Sequence, residues 1–342
     1  MATDTDYRVA IDELRRAGRI VITTHVKPDG DALGSTAALK RWLVSLGKTV
    51  EVVVPTPPPS RYAFLDPDRS VRAAGRDVKV SAIPAPDLVC VLDTCAWLQL
   101  TGMEPLVRDS SAPVLAIDHH RTQDALADFL LSDPDAAATA IIVYRLLLEA
   151  GATIDAETAT YLFVGLVLDT DWFRLPSVRP DTFQMAAALV EAGARPHDIH
   201  ERLHQSDDLA KVHLLGRAIE TLHPALDGRV MVMRLTQALF REMGADIGDT
   251  ENLINECMKV RGARVGIMLV EAEGDEVRVS LRSKPPANVL RVAERFGGGG
   301  HHRAAGARLH GSLDRVEAEV LAAVAEALAK PDAPPSKPPE KA

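Results

Sequence analysis

Histidine and aspartate crowd a few short stretches of this chain. His25, Asp29 and Asp31 share H-V-K-P-D-G-D; Asp93 closes V-C-V-L-D; Asp118, His119 and His120 form I-D-H-H; and Asp169 ends an apolar helical run. In the first stretch Pro28 stiffens and Gly30 sharpens a turn. Two readings stand: Asp31 caps the following helix while Asp29 favours its positive end, or the imidazole and carboxylates ligate metal. Asp93 alone reads as a turn former. Neighbouring side chains on extended backbone point oppositely, so His119 and His120 are expected to have different jobs, one on metal and one toward substrate or solvent. Asp118 is then a carboxylate that can orient a ligand histidine. Asp169 is harder to dismiss, because a carboxylate at a helix C-terminus faces the negative end of the dipole.

Together, Asp29, Asp31, Asp93, Asp169 and the imidazoles of His25 and His119 suit two divalent cations. Mn²⁺ is favoured over zinc because no thiolate is needed. Such a pair lowers the pKa of a shared water and clamps both oxygens of an in-line phosphoryl displacement, so the expected reaction is phosphoester hydrolysis.

The run Gly297 to Gly300, followed by His301 and His302, is neither a P-loop nor a dinucleotide fingerprint. Glycines let backbone N–H groups approach a phosphate, and Arg282, Lys284, Arg291 and Arg303 add local positive charge. Anion binding is therefore favoured over a flexible loop. Cys90 reads as a packed core thiol and Cys95 as loop packing. Trp172 and Phe173 either stack on a base or are buried.

These residues need elements to hold them. R-I-V-I-T-T-H at 19–25, K-T-V-E-V-V-V at 48–54, L-V-C-V-L-D at 88–93 and V-L-A-I-D at 114–118 read as buried strands, and 31–47 as a helix closing at Gly47. A helix is expected over 7–17. Three strands thus deliver polar residues at their carboxyl ends, where open α/β sheets bind ligands. From 136 to 221 the pattern is helical, with Ala159, Leu162, Phe163, Leu166 and Val167 as one stripe. The fold class is α/β in two domains: a parallel-sheet domain over 1–205, a linker helix over 206–222, a smaller α/β domain over 223–330 and a proline-rich disordered tail over 331–342.

With 342 residues, 46% of them hydrophobic, the chain can build two cores, and no apolar run approaches the roughly 18 residues of a membrane span. Three cysteines without a C-x-x-C pair argue against disulfides and structural zinc; with no secretory signal, a cytoplasmic home is expected. A net charge of -9 opposes tracking of long nucleic acid, which needs many Lys and Arg contacts, and leaves small anions held by metal.

Read in order, H-V-K-P-D-G-D-A-L-G-S, V-L-D-T, I-D-H-H-R, L-D-T-D-W-F-R, S-L-R-S and F-G-G-G-G-H-H-R-A-A-G resemble the DHH phosphoesterase superfamily with its DHH-associated C-terminal domain, over nearly all of residues 6–328. Within it the similarity is to the bifunctional oligoribonuclease (nanoRNase) and 3′-phosphoadenosine 5′-phosphate (pAp) phosphatase type, whose relatives include cyclic di-AMP and pApA phosphodiesterases. The resemblance implies that His25, Asp29 and Asp93 hold one Mn²⁺ and Asp31, Asp93, His119 and Asp169 the other, with Asp93 bridging. It places His120 by the scissile phosphate, with Asp118 and Asp93 completing the catalytic set. Arg282, Ser283, Gly298, Gly299, Gly300 and His301 would grip the nucleotide end of a short RNA or small nucleotide. A homodimer is also implied, while the acidic balance argues against long duplex partners and the absence of a long apolar run against a membrane. Two departures stand out: Asp171 replaces the glycine usual after D-T, and the segment after Asp93 lacks an arginine common in relatives. A manganese inorganic pyrophosphatase shares the first-domain ligands, but the glycine run points to the nucleotide branch. A non-catalytic nucleotide sensor would be expected to have lost ligands that are all present here.

Overall fold

The computed structural model describes residues 2–121, 123–250 and 252–329, with the backbone alone at His301. The tail expected over 331–342 lies outside the described residues. The chain divides into two compact units, Met1–Ser206 and Asp207–Ala342.

In the first unit, β1 (Arg19–Thr23), β2 (Thr49–Val54), β3 (Val71–Ala73), β4 (Leu88–Leu92), β5 (Val114–Asp118) and β6 (Phe129–Ser132) form one parallel sheet in the order β3-β2-β1-β4-β5-β6. Parallel sheets are covered on both faces, so β1, β4 and β5 are continuous apolar runs rather than alternating ones. Strand order runs outward in opposite directions from the β1/β4 pair, which opens a crevice beyond their carboxyl ends. His25 follows β1 by two residues and Asp93 follows β4 directly.

The helices are α1 (Asp4–Arg16), α2 (Gly30–Ser45), the short α3 (Glu104–Val107), α4 (Thr139–Glu149), α5 (Ala156–Asp169), α6 (Pro180–Glu191) and α7 (Pro196–His204). Helix α1 starts three residues before the apolar pattern does, because Thr3 and Asp6 cap it reciprocally. The first turns of α2 are buried almost all round. Their close approach to α5 depends on Gly34, where a Cβ would lie 2.3 Å from the Tyr161 carbonyl oxygen. Ala159, Leu162, Phe163, Leu166 and Val167 of α5 are all buried in this core.

The second unit contains α8 (Leu209–Glu220), β7 (His223–Ala225), β8 (Val230–Leu235), α9 (Gln237–Met243), β9 (Val265–Glu271), β10 (Glu276–Ser283), α10 (Leu290–Arg295), β11 (Gly299–His301), β12 (Ala304–His310) and α11 (Leu313–Ala329). Its sheet runs β11-β12-β10-β9-β8-β7, antiparallel except for β8/β9. Helix α8 buries Leu214 and Ala218 against Met231 and Met233. Helices α10 and α11 pack into a second apolar cluster with Val232, Ile267 and Val279. Among the described residues no helix is long and apolar enough to cross a membrane.

Candidate metal centre

The N-terminus of α2 supplies the first carboxylates, but with roles opposite to the simplest capping pattern. Asp29, not Asp31, is the N-cap: its Oδ1 accepts from the N–H of Asp31 at 3.0 Å and of Ala32 at 3.1 Å. Asp31 lies one step further in, is 1% exposed, and turns toward a different helix. Its two oxygens accept from the first amides of α4, Thr139 N at 2.6 Å and Ala140 N at 2.9 Å. A helix N-terminus offers unpaired N–H groups and a positive dipole end, and Asp31 takes both. Space for it comes from α5, where a Cβ on Gly165 would lie 2.6 Å from Asp31 Oδ1.

Asp93 leaves β4 in the left-handed region, φ 61°, and is buried. Thr139 Oγ1 donates to its Oδ1 at 2.8 Å, so Thr139 supports Asp31 through its amide and Asp93 through its hydroxyl. No motif points to Thr139; the sequence signal is a run of small residues, Ala136 to Ala138, before an apolar helix.

Both flanking imidazoles have one nitrogen committed. His25 Nδ1 lies 2.9 Å from the Val26 carbonyl and His119 Nδ1 lies 3.1 Å from the Ala136 carbonyl. A carbonyl can only accept, so each Nδ1 carries the proton and each Nε2 presents a lone pair. His25 Nε2 faces Asp93 Oδ2 at 3.5 Å and Asp29 Oδ1 at 3.9 Å. His119 Nε2 faces Asp169 Oδ2 at 3.2 Å and Asp93 Oδ1 at 3.6 Å, and this buried nitrogen has no hydrogen-bond partner. Lone pairs aimed at carboxylate oxygens repel unless a cation lies among them.

Donor atoms of His25, Asp29 and Asp93 lie within 4.8 Å of one another, as do those of Asp31, His119 and Asp169 and those of Asp93, His119 and His120. Asp93 belongs to two of these sets. Among the described residues all six expected ligands meet here, drawn from β1, α2, β4, β5 and α5. The hard carboxylates and borderline imidazoles, with an orphaned buried nitrogen, fit divalent cations.

The charges tell the same story. Burial, then repulsion from Asp31 and Asp29, pushes Asp169 up to about 8; burial and its acidic neighbours raise Asp93 well above the usual carboxylate range, and burial raises Asp31. Asp118 goes the other way. Burial alone would raise it, but hydrogen bonds and charge from His120 outweigh that and hold it low.

His119 and His120 do not diverge as strand alternation predicts. Strand β5 stops at Asp118, and beyond it the two rings meet edge to face, centroids 4.5 Å apart. Asp118 orients His120 rather than His119: its Oδ1 accepts from His120 N at 3.1 Å and lies 2.8 Å from Nδ1. That contact raises the His120 pKa. His120 Nδ1 also lies 3.8 Å from Asp93 Oδ1, while the side chain remains 47% exposed.

Asp169 ends α5 in a Schellman turn: the N–H of Trp172 donates to Val167 O at 2.7 Å and that of Asp171 to Leu168 O at 3.2 Å. Asp171, Trp172 and Phe173 are all left-handed, with φ of 48°, 53° and 64°. Trp172 and Phe173 are both half-buried: Trp172 lies against Phe163, His200 and His204, and Phe173 stacks on Phe183.

In the second unit the glycine run is a hairpin rather than an open loop. Gly299, Gly300 and His301 form β11 and pair with Gly306, Ala305 and Ala304 of β12. The Gly298 amide caps α10 by donating to Ala293 O, and a Cβ there would lie 2.1 Å from Gly306 O. Arg282 pairs across β10/β12 with Ala304, the partner of His301, so the two share one register on either side of β12. Burial lowers the Arg282 pKa, and no carboxylate among the described residues pairs with it. Ser283 Oγ donates to Ala287 O at 2.9 Å, while Lys284 and Arg303 reach the carbonyls of Met258 and Ala287. The side chain of His301 lies outside what is described.

Residues 19–166 match the DHH family, N-terminal domain, and residues 227–330 match the DHHA1 domain. The chain is 32% identical over 314 residues, 90% of each sequence, to a bifunctional oligoribonuclease and PAP phosphatase of Thermus thermophilus. The chain belongs to the DHH family. Its fold matches that of an exopolyphosphatase-related protein from Bacteroides fragilis, with a TM-score of 0.89 at 24% identity over 95% of this chain and 97% of the other. A more distant likeness, TM-score 0.54 at 16% identity, covers 96% of this chain and 55% of RecJ from Thermus thermophilus, a structure in complex with Mn²⁺. The donor cluster lies in the DHH domain except for Asp169, three residues past the matched span, and Arg282 and the glycine hairpin lie in the DHHA1 domain.

Proposed function

We propose that this DHH protein is a cytoplasmic, Mn²⁺-dependent phosphoesterase that hydrolyses short oligoribonucleotides and pAp to mononucleotides. The observation that carries this reading is a pair of neighbouring donor sets, His25, Asp29 and Asp93 in one and Asp31, His119 and Asp169 in the other, with Asp93 Oδ1 3.6 Å from His119 Nε2. The name of the Thermus thermophilus relative, an oligoribonuclease and PAP phosphatase, supports the substrate class.

When bound, two cations would activate a water and neutralise charge on the phosphoryl oxygens. The chain's own groups supply the rest. Asp118 fixes the His120 ring through Nδ1, leaving Nε2 free to carry a proton toward a leaving oxygen. Thr139 and the α4 amides hold Asp93 and Asp31 in place. Arg282, a half-buried guanidinium without a carboxylate partner among the described residues, suits a substrate phosphate, with Ser283, Gly298, Gly299, Gly300 and His301 framing the same end of the sheet.

The test is product analysis with Mn²⁺, offering pAp, short 5′-phosphorylated RNA, cyclic di-AMP and pyrophosphate in parallel, with Asp93→Ala as control. AMP from pAp and mononucleotides from RNA, both absent in the control, are expected. Turnover of pyrophosphate alone would assign a pyrophosphatase, turnover of cyclic di-AMP alone a cyclic-dinucleotide phosphodiesterase, and no turnover a nucleotide sensor.

A further inference from the structure

Asp169 faces His119, yet no hydrogen bond among the described residues holds its carboxylate, and it is the last residue of its helix. Helix ends fray unless something beyond them is fixed. Just past this end the chain carries three consecutive left-handed residues without a glycine, a backbone that L side chains disfavour and that persists only where surrounding structure enforces it. Within that turn, Trp172 has the most anchors. Its N–H is tied to Val167 O, its ring meets Phe163 and His200, and its indole Nε1–H donates to His204 Nε2 at 2.9 Å. An indole nitrogen can only donate, so His204 must present a lone pair at Nε2. His200 and His204 stand four residues apart on α7, ring centroids 4.8 Å apart, and form the wall behind the indole.

We propose that Trp172, held through its indole N–H by His204, is a positioning residue that fixes Asp169 for metal binding. This rests on the reading of Asp169 as a metal ligand. Trp172 and His204 act on the backbone that carries Asp169 at the end of α5. The indole thus enforces a turn that its own dihedral angles oppose.

The experiment is calorimetric titration of Mn²⁺ into the metal-free full chain, alongside melting of each metal-free variant. Trp172→Phe keeps a ring and loses the donor; His204→Leu loses the acceptor; His204→Gln offers an amide oxygen in its place. Mn²⁺ affinity is expected to fall about 5- to 10-fold in Trp172→Phe and His204→Leu, at or below the low end of the loss when a supporting group is removed from a metal site. His204→Gln is expected to bind as the parent does, and His204→Leu and His204→Gln to melt alike without metal. Parental affinity in both Trp172→Phe and His204→Leu, or His204→Gln as weak as His204→Leu, would overturn the proposal. Asp169→Asn separates the two levels. If it binds Mn²⁺ as the parent does, the ligand reading itself fails and the proposal with it. If Asp169→Asn is weak while the Trp172 and His204 variants are parental, only the positioning role fails.

Discussion

Gly165 on α5 stands so close to Asp31 that a Cβ would lie 2.6 Å from the carboxylate and 2.8 Å from the Ala140 methyl. The glycine is there because α2, α4 and α5 converge on one carboxylate. Gly165→Ala would force Asp31 off the α4 amides or push the helices apart, at a cost of about 1–3 kcal/mol for an overpacked core. Lower thermal stability and a smaller gain on adding Mn²⁺ are expected. An unchanged response to Mn²⁺ in a folded Gly165→Ala protein would mean that Asp31 does not need its present position.

The crowded carboxylates predict a pH dependence in the metal-free state. Asp31, Asp93 and Asp169 have raised pKa values when folded, Asp169 to about 8, against ordinary carboxylate values when unfolded. The folded state therefore binds more protons than the unfolded one between about pH 4 and 8. That contribution to stability is present below the unfolded pKa and is lost as pH rises through the folded one. In chelator, the melting temperature should fall from pH 5 to pH 8. With excess Mn²⁺ the carboxylates are neutralised as ligands, and the gap between metal-bound and metal-free melting should widen with pH. Parallel curves with and without metal would refute the crowding account.

The sequence carried the placement of the ligands further than their support. Apolar runs ending in His25, Asp93 and Asp118 are legible because a buried parallel strand must be apolar throughout and its ligand residues can stand only beyond its end. The contact of Asp31 with Thr139 and Ala140 spans more than 100 residues of chain, and no periodicity encodes it. His119 and His120 defeated the alternation rule because β5 ends at Asp118, before either histidine. The glycine run is legible as a candidate anion site but not as a hairpin, in which Gly298 is demanded by Gly306 of the adjacent strand. Asp171, a departure within a familiar motif, becomes intelligible only once its φ is seen.

Asp118 holds His120 through two hydrogen bonds and, in the proposed mechanism, fixes the ring that serves the leaving oxygen. Asp118→Asn keeps an acceptor but removes the charge, and His120→Ala removes the ring. A fall in kcat on the order of 10²-fold, typical of a lost proton donor, is expected for His120→Ala, with a smaller fall for Asp118→Asn. Mn²⁺ affinity should change little in either, because the six proposed ligands remain. A variant that loses metal and rate together would instead make His120 a ligand, as its place in one donor set with Asp93 and His119 allows.

Asp171 occupies the position of the Schellman turn where glycine is the usual residue, with a left-handed φ of 48°. A Cβ there meets the following carbonyl, an unfavourable contact worth about 1 kcal/mol. Its carboxylate pairs with Arg174, but both side chains are exposed and such pairs contribute little. Asp171→Gly should therefore stabilise the folded protein by up to about 1 kcal/mol, less the extra chain entropy that glycine brings to the unfolded state. Urea unfolding measures this directly. Because the turn hydrogen bonds of Trp172 and Leu175 involve backbone atoms that the substitution leaves alone, Mn²⁺ affinity should be retained. Destabilisation by Asp171→Gly would show that the Arg174 pair outweighs the strain, and that this chain replaced glycine for a stabilising contact rather than at a cost.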